Sequence, residues 1–253
     1  MTVEQFSDGD SLLHRIDPRV KICLAFPYAF VIALSERMTV ALGALAIGFT
    51  LVILARLDVR ELLKNLRMLL VFILVLWTLL PLTVTGTTLY SLGPVTVYAE
   101  GITRALSITL KSLSIVLIVV SLLGTSTVSA LVHAVSHFRV PSKLVYLTFL
   151  SYRYLYVLRS EYAKLLDAMR IRGFRPRTNI HTYRTIGYLI GMLLIRSYER
   201  AERIYQAMLC RGFQGRFYLL DHFHLHGRDM WFASGMGSLL MGIGVLEWTK
   251  ILP

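Results

Sequence analysis

The stretch MTVALGALAIGFTLVILA, Met38 to Ala55, runs for eighteen residues without one charged side chain. A helix of about 20 apolar residues covers the hydrocarbon core of a bilayer, so this run reads as a membrane span. Working outward, Ser35-Glu36-Arg37 makes a tight turn to an earlier run, Val20 to Ser35, which is short and contains Pro27. Downstream, Met68 to about Val84, a run within Arg104 to Gly124, and Met230 to about Trp248 repeat the pattern. The expectation is an all-α, polytopic membrane protein with about five transmembrane helices and long cytoplasmic helices.

Composition agrees. Of 253 residues, 55% are hydrophobic and 17% charged, with a mean hydropathy of +0.61. A soluble domain carries about 25% charged residues. The formal net charge of +12 is concentrated: Arg139 to Asp229 holds 16 Lys/Arg against 6 Asp/Glu. Basic segments stay on the cytoplasmic side of a membrane. The loop at 56–67, with Arg56, Arg60, Lys64 and Arg67, and the segment 139–229 are therefore expected inside. The turn-rich stretch 85–99, without Lys or Arg, is expected outside, which puts the N-terminus in the cytoplasm and the C-terminus outside. Three regions follow: 1–138, an N-terminal membrane region with four spans; 139–229, cytoplasmic; and 230–253, a C-terminal span.

Several finer readings go with these. Glu4, Asp8 and Asp10 do not make the basic start of a signal peptide, so the first run is expected to stay as a span. Asp17 followed by Pro18 is a helix-start signal. Lys111, inside the fourth run, must reach an interface or face the bundle interior, because charge facing lipid is costly. Gly235, Gly237, Gly242 and Gly244 suit close helix packing in the last span.

Within the basic segment, Lys143 to Ile171 and roughly Thr182 to Cys210 read as helices, the second with Glu199 and Arg203 at i,i+4 spacing. Ala168-Met169-Arg170-Ile171-Arg172-Gly173-Phe174 recurs 39 residues later as Ala207-Met208-Leu209-Cys210-Arg211-Gly212-Phe213. Each copy sits where a helix should stop, since glycine accepts the left-handed conformation past a last turn. An arginine there complements the negative helix end and offers a planar fork of donors to carboxylates. Two such tips are suited to two acidic grooves.

This pair resembles the two Ala-Arg-Gly coupling motifs of the T components of energy-coupling-factor (ECF) importers. Ser11-Leu12-Leu13-His14-Arg15-Ile16-Asp17-Pro18-Arg19-Val20-Lys21 looks like the start of the cobalt and nickel branch, the CbiQ-type proteins, and Ser197-Tyr198-Glu199-Arg200-Ala201 is similar too. The resemblance implies a subunit that couples two cytoplasmic ABC ATPases to a separate substrate-binding membrane subunit, with a small accessory membrane subunit as an optional addition. The ATPase-docking residues it implies are Ala168, Ile171, Arg172, Gly173, Ala207, Cys210, Arg211 and Gly212. Ile171 and Cys210 stand where the family usually has Ala. Cobalt is the implied cargo, with nickel, or vitamins through a shared transporter, as alternatives.

No G-x-x-x-x-G-K-[ST] occurs, so ATP hydrolysis is expected on a partner and not on this chain. Cys23 and Cys210 form neither a disulfide scaffold nor a zinc motif. His222, His224 and His226 alternate near Asp221 and Asp229, and His133 and His137 are i,i+4 neighbours on a short helix, Thr127 to Phe138; both sets read as interfacial rather than metal-binding. Tyr152, Tyr154 and Tyr156 beside Arg153 and Arg159 read as packing at the membrane surface rather than stacking on bases, so no nucleic-acid partner is expected. A membrane-embedded enzyme would need acids or histidines converging within the spans, which carry only Glu247 near an end. No catalytic residue, metal or cofactor is assigned.

Overall fold

The structure is a computed structural model that describes residues 9, 11–85, 87–92, 95–138, 140–214 and 226–248. In chain order the elements are α1 (Pro18–Leu34), α2 (Met38–Ala55), α3 (Val59–Thr83), β1 (Thr88–Leu92), β2 (Val95–Tyr98), α4 (Ala99–Leu123), α5 (Val128–Ser136), α6 (Ser142–Ile171), α7 (Ile180–Cys210) and α8 (Gly227–Trp248). The fold is all-α with one short antiparallel hairpin, in which Leu92 pairs with Val95 and Ser91 with Thr96. Among the described residues, α2, α3, α4 and Gly227–Glu247 of α8 are long and apolar enough to cross a membrane. With 17 residues, α1 is about 25 Å long, somewhat shorter than the hydrocarbon core.

The chain divides into two compact units, Met1–Ala134 with Phe223–Pro253, and Val135–His222. In the first, α4 packs against α1, α2 and α3, while α8 packs against α1 and α2. Lipid removes the hydrophobic drive between helices, so close backbone approach has to hold them. Ala41, Ala44, Gly48 and Ala55 form the buried face of α2, and Ser114, Leu117 and Ser121 answer from α4. Ser114 Oγ donates to the Ala41 carbonyl at 3.3 Å, across the two helices. The outward face of α3 is the reverse: Met68, Val71, Phe72 and Leu74 are all exposed, the surface expected to meet lipid.

Local signals explain the ends. Asp17 Oδ1 accepts from the Arg19 amide at 2.8 Å and Pro18 opens α1, as the Asp-Pro pair predicts. Glu247 in α8 accepts from Ser35 Oγ at 2.9 Å and from the Glu36 amide at 3.0 Å, fastening the end of α8 to the α1–α2 turn. Lys111 is half-buried and within electrostatic reach of Glu247, so it faces the bundle rather than lipid.

Four sequence expectations change. The basic segment 56–67 is not a loop: α3 begins at Val59, because Asp58 Oδ1 caps it by accepting from the Arg60 amide at 3.0 Å and no breaker follows. The turn-rich stretch 85–99 contains a strand pair, for which alternating Thr, Tyr and Val residues are suited. The fourth span starts at Ala99 instead of Arg104. Gly235, Gly237, Gly242 and Gly244 have no heavy atom within 4 Å of a Cβ built on them, so they do not serve close packing within the chain. That role falls to Gly101, whose Cβ would lie 2.5 Å from the Leu80 carbonyl oxygen and 2.6 Å from Pro81 Cα.

Gly101→Ala must push α3 away from α4 and should lower the thermal midpoint of the detergent-solubilised protein, at an overpacking cost of about 1–3 kcal/mol. Gly235→Ala, with open space around it, should leave the midpoint unchanged or raise it. Equal effects from the two substitutions would contradict this account of the α3–α4 contact.

Candidate functional site: two helix tips

The second unit contains α6 and α7, of 30 and 31 residues, each about 45 Å long. Both finish the same way. Arg172 and Arg211 close their helices at φ −78° and −91°, and Gly173 and Gly212 follow at φ +80° and +77°. The Gly173 amide donates to the Arg170 carbonyl at 3.0 Å and the Phe174 amide to the Met169 carbonyl at 3.1 Å. In the second copy, Gly212 donates to Leu209 at 2.9 Å and Phe213 to Met208 at 3.1 Å. This is the Schellman arrangement, bond for bond, at both tips. The left-handed backbone is what requires glycine, since nothing lies within 4 Å of a Cβ at either position.

Exposure repeats with the backbone. In each seven-residue copy the Met and the Phe are half-buried, and the other five residues are exposed. Every implied docking residue, Ala168, Ile171, Arg172, Gly173, Ala207, Cys210, Arg211 and Gly212, is thus on the surface. Ile171, at 87% exposure, presents a bare apolar side chain beside Arg172. Among the described residues, neither Arg172 nor Arg211 is paired with an acid. Each tip is therefore a free guanidinium beside a glycine without bulk, able to reach into a partner's cleft.

Between the tips, Glu161 on α6 joins the helices. Its carboxylate accepts from Arg200 at 3.2 Å and Arg196 at 3.4 Å, both on α7, and from Lys164 on its own helix at 3.4 Å. Lys164 first, then Arg200 and Arg196, hold the Glu161 carboxyl below the usual carboxylate range. Beside this bridge an apolar groove of about 270 Å³ runs between Leu150, Tyr154 and Leu158 of α6 and Ala201, Ile204 and Met208 of α7. The sequence reading did not single out Glu161. Its signal was available, because Glu161 and Arg200 occupy equivalent positions of the 39-residue repeat. The Glu199–Arg203 pair forms as spaced, at 3.9 Å and fully at the surface.

Tyr152 and Tyr156 meet edge to face one turn apart on α6, with ring centroids at 5.9 Å. Among the described residues, no three His, Cys, Asp or Glu side chains gather as a metal site would need. Asp221, His222 and His224 lie outside the described residues, and Asp229 is engaged in helix capping.

The model of the CbiQ family, described as a cobalt transport protein, matches residues 9–219, a stretch that contains both tips. The chain belongs to that family. Similar curated relatives are energy-coupling factor transporter transmembrane proteins EcfT. One from Brevibacillus brevis is 29% identical over 231 residues, 85% of each chain. That of Bacillus subtilis is 27% identical over 228 residues, again 85% of each, and one from Listeria monocytogenes is 26% identical over 261 residues, 96% of each. This CbiQ chain is accordingly a membrane subunit of an ECF transporter, its T component.

The Glu161 bridge carries a pH dependence whose sign follows from the lowered carboxyl. The α6–α7 contact is held above the ordinary glutamate value, about 4.3, and is lost as pH falls through the lower folded value. Amide exchange of residues 196–204 should therefore speed up on acidification, and Glu161→Gln should show the faster exchange already at neutral pH. Identical exchange in the two proteins at pH 7 would remove Glu161 from this role.

Proposed function

We propose that this chain is the energy-coupling subunit of a cobalt importer, and that two ATP-hydrolysing ABC subunits dock on Arg172-Gly173 and Arg211-Gly212. A separate substrate-binding membrane subunit carries the cargo, and this chain relays motion to it. The observation that carries the reading is the repeated tip: two helix ends with the same capping bonds, the same exposed arginine and the same glycine. A pair of like subunits needs a pair of like handles. Arginine gives each handle a rigid fork matched to carboxylates in a cleft.

When ATP draws the two ATPase subunits together, handles seated in their clefts travel with them. The helices behind the handles then shift the subunit that holds substrate, as a switch driven by differential affinity for two states. The chain lies in the cytoplasmic membrane of a prokaryote with its N-terminus inside, an orientation supported by the basic segments at 56–67 and 139–229. Catalysis belongs to the partners.

Cobalt is favoured by the description of the family model and by the resemblance of Ser11 to Lys21 to the cobalt and nickel branch. The names of the EcfT relatives specify no cargo, which supports a second reading, a coupling subunit shared among several substrate-binding partners.

Arg172→Glu with Arg211→Glu should abolish ATPase co-purification and Co²⁺ uptake while leaving the chain in the membrane. Truncating one partner of a buried charge pair costs about 2–5 kcal/mol, and here both contacts are reversed in sign. Unchanged co-purification would end the docking proposal. Uptake of Ni²⁺, or of a vitamin with another partner, in place of Co²⁺ would redirect the cargo alone.

A further inference from the structure

Lys21 has no exposed surface, yet it carries an ammonium. Its Nζ donates to Ser126 Oγ at 2.7 Å, Thr125 Oγ1 at 3.1 Å and the Thr125 carbonyl at 3.4 Å. Four residues earlier, the Asp17 amide donates to Asp229 Oδ1 at 3.2 Å. The other oxygen of Asp229 accepts from the His226 amide at 2.9 Å, the reach-back bond that caps the start of α8. Asp17 and Asp229 are the carboxylates within electrostatic reach of Lys21, and Asp17, Thr125 and Asp229 are buried. A buried charge is tolerated only when paired and hydrogen-bonded, so this cluster has a demanding geometry: it holds as a set or loses stability.

What the cluster joins is specific. Thr125 and Ser126 form the turn from α4 into α5, the helix along which the chain passes out of the membrane unit after Ala134. His226 and Asp229 form the start of α8, where the chain resumes the membrane unit. The turn that leads toward the first crossing and the helix start that follows the second are thus both fastened to the beginning of α1, the one by Lys21 and the other by the Asp17 amide. A chain passing force from α6 and α7 to the membrane helices has only these two covalent routes. If either crossing point gave way, the motion would be spent in bending the connection.

We propose that Asp17 and Lys21 form a clamp that ties the α4–α5 turn and the start of α8, the segments flanking the two chain crossings, to the beginning of α1, making them positioning residues for energy coupling. The transport half of this inference rests on the coupling function proposed above; the structural half does not. In the assembled complex in proteoliposomes, Lys21→Met should speed amide exchange at both 124–131 and 226–230, although Lys21 itself bonds only the first. ATP hydrolysis should stay within about twofold of the native complex while Co²⁺ uptake falls about tenfold, within the range of coupling energies between sites.

Thr125→Val with Ser126→Ala, which removes two acceptors and keeps the shape, should give the same split should Lys21→Met fail to assemble. Thr125→Ser, which keeps the hydroxyl, should behave as the native protein. Exchange confined to 124–127, hydrolysis falling in step with uptake, or native uptake in both variants would overturn the clamp. Failure of the coupling function itself would show differently: the Arg172 and Arg211 variants would retain ATPases and uptake, while the exchange measurement still decided the clamp.

Discussion

Hydrocarbon offers no hydrogen-bond partners, and this one constraint arranges the rest of the molecule. Backbone groups satisfy themselves along each helix, and polar side chains in the membrane unit do the same. Along α4 and the turn that follows it, Thr103, Ser107, Thr109, Ser114, Ser121 and Thr125 each donate to the carbonyl four residues back. A hydroxyl so occupied can sit in a span without needing water. Two of these, Ser114 and Thr125, also make a bond outside their own turn, to α2 and to Lys21 respectively. Polarity in the bundle is thus spent at two sorts of place: helix-to-helix fasteners and the ends of the bundle.

The same constraint explains how the two units divide the work. In the membrane unit, large apolar side chains such as Met68, Phe72 and Leu74 face outward, while Ala41, Ala44 and Gly48 bring α2 close to α4 beside the buried Leu51 and Leu117. The coupling unit reverses the rule. On α6 and α7 arginines, lysines and tyrosines are exposed along most of the length, and the cross-helix bond is an ion bridge rather than a close contact. A surface ion bridge contributes little in isolation, but Glu161 meets three cations at once. Its purpose is geometric: it fixes the spacing of two helices that share few apolar contacts.

Much of this was legible in the sequence because each feature depends on residues near one another in the chain. The spans follow from length and apolarity, the start of α1 from Asp17-Pro18, and both tips from the Arg-Gly repeat. What escaped depends on residues far apart. The clamp brings Lys21 to Thr125 and Asp17 to Asp229, and no local pattern says that a lysine one turn into a first span will meet a turn a hundred residues on. The start of α3 was misplaced for another reason: charge suggested a loop, whereas Asp58 as a cap and the absence of a breaker let a basic helix run straight into a span. The α8 glycines misled because their small size permits close packing without requiring it.

The repeat does more than give two helices the same end. Glu161 and Arg200 are equivalent positions in the two copies, seven and eleven residues ahead of the same Ala and Arg in each. In the first copy the position is an acid and in the second a base, so the copies differ where they bond to each other and agree at the two exposed tips. Each bridge residue is three helical turns from its own arginine, a length over which a helix bends little. Between the tips thus stand the two ion pairs from Glu161 to Arg196 and Arg200 and two short helical arms. A pair of helix ends tied in this way is suited to pass a displacement along α6 and α7, the property that the proposed coupling role requires before any question of cargo arises.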